Sequence, residues 1–171
     1  MNVWWVTASE RSEGGWHWGY FFSRPTQDYS WGGPEWIRSH ISFARIRRMR
    51  RGDIIIAYQA GEGIVGMATL AEDGDQSSPG SPYDTFYLRA APIIRLSVPV
   101  PFDAIKLLPH APSNFEFVRA KRGTVFSVQQ KGFSRLLGLL LAFNPTQGAN
   151  IGAFLRATRA AIPYTVKAAA R

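Results

Sequence analysis

Residues 47–70 read RRMRRGDIIIAYQAGEGIVGMATL, and this stretch decides how the neighbouring parts of the chain can fold. Its residues 54–58 form an unbroken apolar run that is short enough to be a buried strand. A second apolar run covers residues 64–70, and the turn between the two runs contains Gly61 and Gly63. Two apolar runs joined by a glycine-containing turn predict a β-hairpin.

Upstream of this hairpin the sequence predicts a strand, an irregular segment and a helix. Residues 3–7 are rich in tryptophan and valine, which favours a strand. Residues 16–36 hold four tryptophans among glycine, serine and proline, which predicts irregular backbone with exposed aromatic side chains. A helix is predicted from Pro34 to Gly52, because late arginines complement a helix dipole and glycine commonly ends a helix.

Downstream, the sequence predicts a long loop followed by further strands and two helices. Residues 71–84 are polar and rich in glycine, proline and serine, so we expect a loop that acts as a lid. Strands are predicted at residues 85–89, 93–98 and 124–128, and helices at residues 130–143 and after an N-cap at Asn150. This order predicts an α+β fold with a strongly curved mixed sheet or small barrel. The length predicts a single domain, residues 1–171.

The composition excludes several classes of protein. Cysteine is absent, which removes thiolate nucleophiles and cysteine-based zinc sites. No apolar run reaches the roughly 20 residues needed to span a bilayer, and the N-terminus lacks a signal-peptide pattern. We therefore expect a soluble protein in the cytoplasm, with no membrane as a partner.

The sequence contains no recognisable catalytic motif. His17, His40 and His110 are far apart and lack the spacing of a zinc-binding helix. The glycines of the predicted hairpin mimic a glycine-rich loop, but they do not open a helix as a dinucleotide site requires. We therefore predict no catalytic residue, no metal and no cofactor.

The positive charge is concentrated in two parts of the chain. The formal net charge is +8, and residues 110–171 carry nine lysines and arginines against the single acid Glu116. Residues 43–51 contain five arginines and no acid. Such clusters attract phosphate groups and release counterions on binding. A solvated face that keeps the protein soluble is the alternative, and the charge pattern by itself leaves both interpretations open.

Several blocks of the sequence, taken in order, resemble the EVE domain family of the PUA-like superfamily. The blocks are WWV at residues 4–6, SWGG at 30–33, RMRRGD at 48–53, IIIAY at 54–58, GIVGMA at 63–68 and RGTVFSVQQ at 122–130. They are spread over most of the chain. The SWGG block and the hairpin are also similar to YTH domains, which hold a methylated adenine in an aromatic cage.

The resemblance implies a PUA-like small mixed β-barrel of about five to six strands flanked by two to three helices. It also implies an aromatic pocket that receives a flipped-out or single-stranded base, in this family typically a modified one, without chemistry on that base. The residues expected in this pocket are Ser30, Trp31, Tyr58, Tyr83, Phe86, Trp5 and Trp18. For the tryptophans and Tyr58, packing in the core is the alternative.

Basic side chains are expected to contact the nucleic-acid backbone, because guanidinium groups match the geometry of phosphate oxygens. The expected residues are Arg45, Arg47, Arg48, Lys121 and Arg122. Solvated charge is again the alternative for each of them.

Three functions are compatible with the resemblance. The first is a non-catalytic reader of modified bases in DNA, linked to restriction or defence, with a nuclease or translocase as a partner protein. The second is an RNA-binding PUA-like module that acts on transfer or ribosomal RNA, which the basic last third of the chain would suit equally. The third is an enzyme of the same superfamily that acts on nucleic acid or nucleotides.

Overall fold

The structure is a computed structural model, and it describes residues 1–10, 16–23, 29–33, 41–73, 84–88, 90–120 and 124–160. The strands are β1 (Val3–Ala8), β2 (Tyr29–Gly33), β3 (Ile54–Gln59), β4 (Gly63–Leu70), β5 (Asp84–Leu88), β6 (Ala90–Val100) and β7 (Val125–Val128). The helices are α1 (Trp18–Ser23), α2 (Ile41–Ile46), α3 (Phe102–Lys106), α4 (Ala111–Asn114), α5 (Glu116–Arg119), α6 (Gln130–Phe143) and α7 (Gly148–Ala160). A short 3-10 helix, Pro145–Gln147, joins the last two.

Five of the strands form one mixed sheet in the order β6-β4-β3-β1-β7. β1 and β3 are parallel, with Val3 opposite Ile54 and Ala8 opposite Gln59, and the other neighbours are antiparallel. Parallel neighbours need a crossover connection, and the chain between β1 and β3 contains α1, β2 and α2. In the described part of the chain β6 and β7 are outer strands, so the sheet is open.

The α+β class and the mixed sheet that the sequence predicts are confirmed. The predicted hairpin consists of β3 and β4, and its turn places Gly61 and Gly63 at φ values of 91° and 122°. Glycine adopts such angles without steric cost, because it has no Cβ atom. The five-stranded sheet does not close into a barrel within the described residues, and β2 and β5 pair with each other in a separate two-stranded sheet.

Both faces of the five-stranded sheet are covered, because its central strands carry apolar residues at nearly every position. In β1, Val3 and Trp5 belong to one buried cluster, whereas Trp4, Val6 and Ala8 belong to another. The first cluster includes side chains of α6 and α7, and the second includes side chains of α1 and α2. We call these two sides of the sheet the α6 face and the α2 face.

Helix α6 covers its face of the sheet as the apolar spacing predicts. Phe133, Leu136 and Leu140 recur at helical intervals and are all buried. Just after the helix, Asn144 accepts a hydrogen bond from the backbone N–H of Val98 at 2.8 Å and donates one to its carbonyl at 3.0 Å. These bonds satisfy backbone groups on the outer strand β6 that would otherwise be unpaired.

The turn that leads into β3 is held by the buried carboxylate of Asp53. Its Oδ1 accepts a hydrogen bond from the backbone N–H of Asn2 at 2.7 Å. Its Oδ2 accepts bonds from the indole of Trp4 at 2.8 Å and from the backbone N–H of Arg50 at 3.0 Å. Asp53 therefore ties this turn to the N-terminal strand, which is a structural role.

Several elements differ from the sequence prediction. Residues 18–23 form helix α1 rather than irregular backbone with exposed aromatics, because Trp18 and Phe21 pack into the core. Helix α7 begins at Gly148, two residues before the predicted cap Asn150. Residues 101–114, where the sequence predicts no helix, contain α3 and α4. Proline fits the first turn of a helix, and Pro112 lies in the first turn of α4.

Two predicted segments are described only in part. The helix predicted from Pro34 to Gly52 is seen as α2, and residues 34–40 lie outside the described residues. Residues 74–83 of the predicted lid loop also lie outside them.

None of the described helices is long and apolar enough to cross a membrane.

Candidate functional site

Three of the residues expected in the pocket come together in the two-stranded sheet. β2 and β5 are antiparallel, with Trp31 opposite Phe86 and Ser30 opposite Tyr87. This pairing joins segments that lie on either side of the β3–β4 hairpin in the sequence. Tyr83 directly precedes β5 and lies outside the described residues.

Trp5 and Tyr58 belong to one aromatic stack on the α6 face of the main sheet. The ring centroids of Trp5 and Tyr58 are 4.6 Å apart. The ring of Phe117 also stacks on Trp5, with the two centroids 3.5 Å apart. Trp5 is 1% exposed, so its ring has no surface for a base. Tyr58 is partly exposed and is the member of this stack that reaches the surface.

The hydroxyl of Tyr58 is kept in its neutral form. Burial raises the pKa of Tyr58 above its ordinary value of 10.0, and the negative charge of Asp103 raises it further. A neutral phenol can both donate and accept a hydrogen bond. Tyr58 can therefore donate to a ligand at neutral pH without acting as a base.

Trp18 lies on the α2 face, opposite to the stack that contains Trp5. It is 0% exposed, and its indole N–H donates to the carbonyl of Val6 at 3.2 Å. Two residues on opposite faces of one sheet cannot line the same pocket. We therefore assign Trp5 and Trp18 to the hydrophobic core, which corrects their expected place in the pocket.

Arg45, expected to bind phosphate, is held by contacts within the protein. Its guanidinium group forms an ion pair with Glu116 and donates to the carbonyl of Val125 at 2.7 Å. The same group lies 5.2 Å from the ring centroid of Phe126. Because these contacts engage two of its nitrogens, Arg45 has a structural role in the free protein, which differs from the sequence prediction.

The other basic residues differ in how far the structure describes them. Arg47 and Arg48 are exposed, as phosphate contacts must be. Lys121 and Arg122 lie outside the described residues. Arg119 was not singled out by sequence motifs, and its only signal is the excess of basic residues after position 110.

A groove of about 410 Å³ opens beside the ion pair of Arg45 and Glu116. Arg48 and Arg119 also line it, together with Ser127 at the end of β7. The remaining lining residues are Trp4, Ala44, Ser113, Asn114 and Gln129. We call this feature the arginine groove. Its three guanidinium groups and one carboxylate have a net charge of +2 when all are ionised.

A second cavity, of about 350 Å³, contains a histidine and a glutamate. Nε2 of His17 lies 2.7 Å from the carboxylate of Glu62, and Nδ1 accepts a hydrogen bond from the N–H of Gly19 at 2.8 Å. Both ring nitrogens thus have a hydrogen-bond partner within the protein. Among the described residues, no three histidines or carboxylates come together in a way that could hold a metal ion.

The open mixed sheet with helices on both faces is shared by solved structures from bacteria and from humans. Rpa0253 from Rhodopseudomonas palustris superposes with a TM-score of 0.63, at 22% identity, over 81% of this chain and 92% of that one. Atu2648 from Agrobacterium tumefaciens superposes with a TM-score of 0.62, at 20% identity, over 86% of this chain and 94% of that one. Human THYN1, solved in complex with 5-methylcytosine containing DNA, gives 0.56, at 16% identity, over 82% and 98%.

These likenesses show that the α+β fold of this chain is shared by the three structures. The sequence itself matches the model of the EVE domain over residues 4–139, so the chain belongs to the EVE domain family. No curated protein matches the chain at a significant level.

Proposed function

We propose that this EVE domain protein binds nucleic acid without catalysis and accommodates a modified base of DNA in an aromatic pocket. The observation that supports this most directly is the fold shared with human THYN1, whose structure contains 5-methylcytosine DNA. Membership of the EVE domain family, over most of the chain, supports the same conclusion. We take residues 1–171 as one domain for this activity.

The pocket proposed for the base lies at the β2–β5 ladder. Trp31 and Phe86 are directly opposite each other in this ladder, and Ser30 is adjacent to Trp31. Stacking of a base on an aromatic ring contributes about 1 to 3 kcal/mol, which offsets the cost of removing the base from its own stack. Tyr83 and Tyr58 are the further candidates, and Tyr58 supplies a neutral hydroxyl.

Exposed cations would hold the backbone of the same strand. Arg47 and Arg48 are exposed, and Lys121 and Arg122 are proposed by their sequence. Such contacts fix the position of a strand but do not distinguish one base from another. A nuclease or translocase that acts on the bound DNA is the partner proposed for a role in restriction or defence in the cytoplasm.

Binding to a panel of oligonucleotides tests this function. Fluorescence anisotropy is measured with matched DNA and RNA strands that carry cytosine, 5-methylcytosine, adenine or N6-methyladenine, at two salt concentrations. We expect at least one modified DNA strand to bind more tightly than its unmodified match. Tighter binding of RNA than DNA in every pair would instead support the module for transfer or ribosomal RNA.

The same samples test the absence of catalysis. The mass of each oligonucleotide is measured after long incubation with the protein, and we expect every mass to be unchanged. A product in any sample would contradict a pure reader and support the enzyme alternative.

A further inference from the structure

The arginine groove contains two cations that no acidic residue in the described part of the chain neutralises. Arg48 and Arg119 are exposed, and neither has an ion pair or side-chain hydrogen bond with another residue in the described ranges. Arg45, which also lines the groove, is already paired with Glu116. Within the described residues, the groove thus offers two guanidinium groups without an ion-pair partner beside one that is paired.

The shape and chemistry of the groove match a phosphodiester group. Guanidinium groups donate to phosphate oxygens in a planar, two-pronged geometry, which an ammonium group does not provide. The hydroxyl of Ser127 and the amide of Gln129 add polar groups to the lining. A volume of about 410 Å³ lies within the range of roughly 300 to 1,000 Å³ that is typical of small-ligand sites.

We propose that the arginine groove binds one phosphodiester group of the nucleic-acid backbone through Arg48 and Arg119. This proposal rests on the proposed function, and it adds a site outside the β2–β5 ladder. Arg45 is a positioning residue in it, because its bonds to Val125 and Glu116 hold α2 against β7 and α5. That packing brings the elements that carry Arg48 and Arg119 together at one groove, which both residues line.

Glu116 limits the affinity of the groove for phosphate. Its carboxylate is partly exposed, lines the groove and lies 3.5 Å from the hydroxyl of Ser127. A carboxylate this close repels a bound phosphate, and it competes with the phosphate for the hydroxyl and guanidinium donors. The groove therefore binds a backbone phosphate weakly, as part of a larger contact, rather than free anions tightly.

Four variants of the full chain test the groove, with the affinity for methylated and unmethylated DNA and RNA strands measured over a series of salt concentrations. Arg48→Gln and Arg119→Gln should each lower the affinity about three- to tenfold for every strand alike. Each single variant should also reduce the slope of log K against log salt by at most about 1. The double variant should reduce the slope by the same amount at most, because Arg48 and Arg119 contact the same phosphate. Glu116→Gln should raise the affinity about two- to fivefold.

Arg156→Gln is the matched control for the loss of one positive charge. Arg156 is exposed on α7, which packs against β6 at the edge of the sheet far from β7. Equal affinities for Arg119→Gln and Arg156→Gln would overturn the groove, as would a Glu116→Gln variant that binds no more tightly than wild type. Melting temperatures establish that each variant is folded.

The results separate the groove from the reader function. Loss of affinity in the arginine variants without any preference for a modified base would support the groove and contradict the reader. A preference for a modified base with no specific effect of Arg48 or Arg119 would support the reader and overturn the groove. No binding of any strand by the wild-type protein would contradict both.

Discussion

At the scale of single residues, four of the six tryptophans of this chain fall into two groups. Trp4, Trp5 and Trp18 are each at most 3% exposed and belong to the hydrophobic core. Trp31 lies in the β2–β5 ladder opposite Phe86, and we propose it as one wall of the base pocket. Removing a tryptophan should therefore have opposite consequences in the two groups.

Trp31→Ala should reduce binding without unfolding the protein. Loss of base stacking worth about 1 to 3 kcal/mol lowers the affinity roughly 5- to 150-fold. The preference for a modified base should shrink as well, because the stacking surface senses the added group. Affinity and melting temperature are measured on the same preparation.

Trp5→Ala is the matched control, and it should cost about 3 to 5 kcal/mol of unfolding free energy as a buried aromatic does. If Trp31→Ala instead lowers the melting temperature as much as Trp5→Ala does, Trp31 is a core residue. A folded Trp31→Ala protein that binds as well as wild type would exclude Trp31 from the pocket.

Tyr58 should make the stability of the protein depend on alkaline pH. Its pKa in the folded state is raised above the ordinary value of 10.0, by burial first and by Asp103 second. The corresponding stability is fully present below pH 10.0 and is lost as the pH rises through the raised pKa. Tyr58→Phe should remove this part of the alkaline loss, which melting temperatures from about pH 9 to about pH 11.5 would detect.

Two further variants control this measurement. Tyr20→Phe removes one hydroxyl from a tyrosine that is 62% exposed. Asp103→Asn removes one charge that raises the folded-state pKa of Tyr58, so the alkaline loss of stability should be smaller and should end at a lower pH than in wild type. If the curves of melting temperature against pH coincide for wild type and Tyr58→Phe, Tyr58 ionises equally in the folded and the unfolded protein.

At the scale of secondary-structure elements, two glycines show one place where the packing is close and one where it is loose. A Cβ atom at Gly66 of β4 would overlap the carbonyl of Ile94 on β6 and the ring of Phe22 on α1. A Cβ atom at Gly138 of α6 would meet nothing within 4 Å. The close approach of β4, β6 and α1 therefore depends on a glycine, whereas the exposed side of α6 does not.

Substitution of alanine should have opposite signs at these two positions. Gly66→Ala should lower the unfolding free energy by about 1 to 3 kcal/mol, because neighbouring backbone must move. Gly138→Ala should raise it by about 0.5 to 1 kcal/mol, because alanine favours a helix. Urea unfolding compares the two, and an unchanged or more stable Gly66→Ala protein would contradict the close packing.

At the scale of the whole molecule, the uneven charge should couple binding to stability. A modified oligonucleotide at 100 times its Kd should raise the unfolding free energy by about 2.7 kcal/mol. This gain should decrease as salt rises, because the affinity itself falls when released counterions are more concentrated. The stabilisation is measured as the rise in melting temperature on adding a fixed amount of DNA, at low and at high salt. A rise that is the same at both salt concentrations would exclude phosphate contacts.

The elements whose cause is local could be predicted from the sequence. The apolar runs and glycines at residues 54–70 specify the β3–β4 hairpin, and the spacing of Phe133, Leu136 and Leu140 specifies α6. The order of its motifs was also enough to identify the EVE domain family. For the hairpin and for α6 the deciding signal lies within a few dozen neighbouring residues, so it can be read without knowing the fold.

Only the tertiary structure decided which of the candidate residues are available to a ligand. Helix α1 forms because Trp18 is buried against the sheet, although its neighbours predict an irregular loop. Arg45 is occupied by Glu116, a residue 71 positions away, whereas Arg119 beside it is exposed. Burial and ion pairing depend on contacts between distant parts of the chain, and a local pattern carries no information about which distant partner is present.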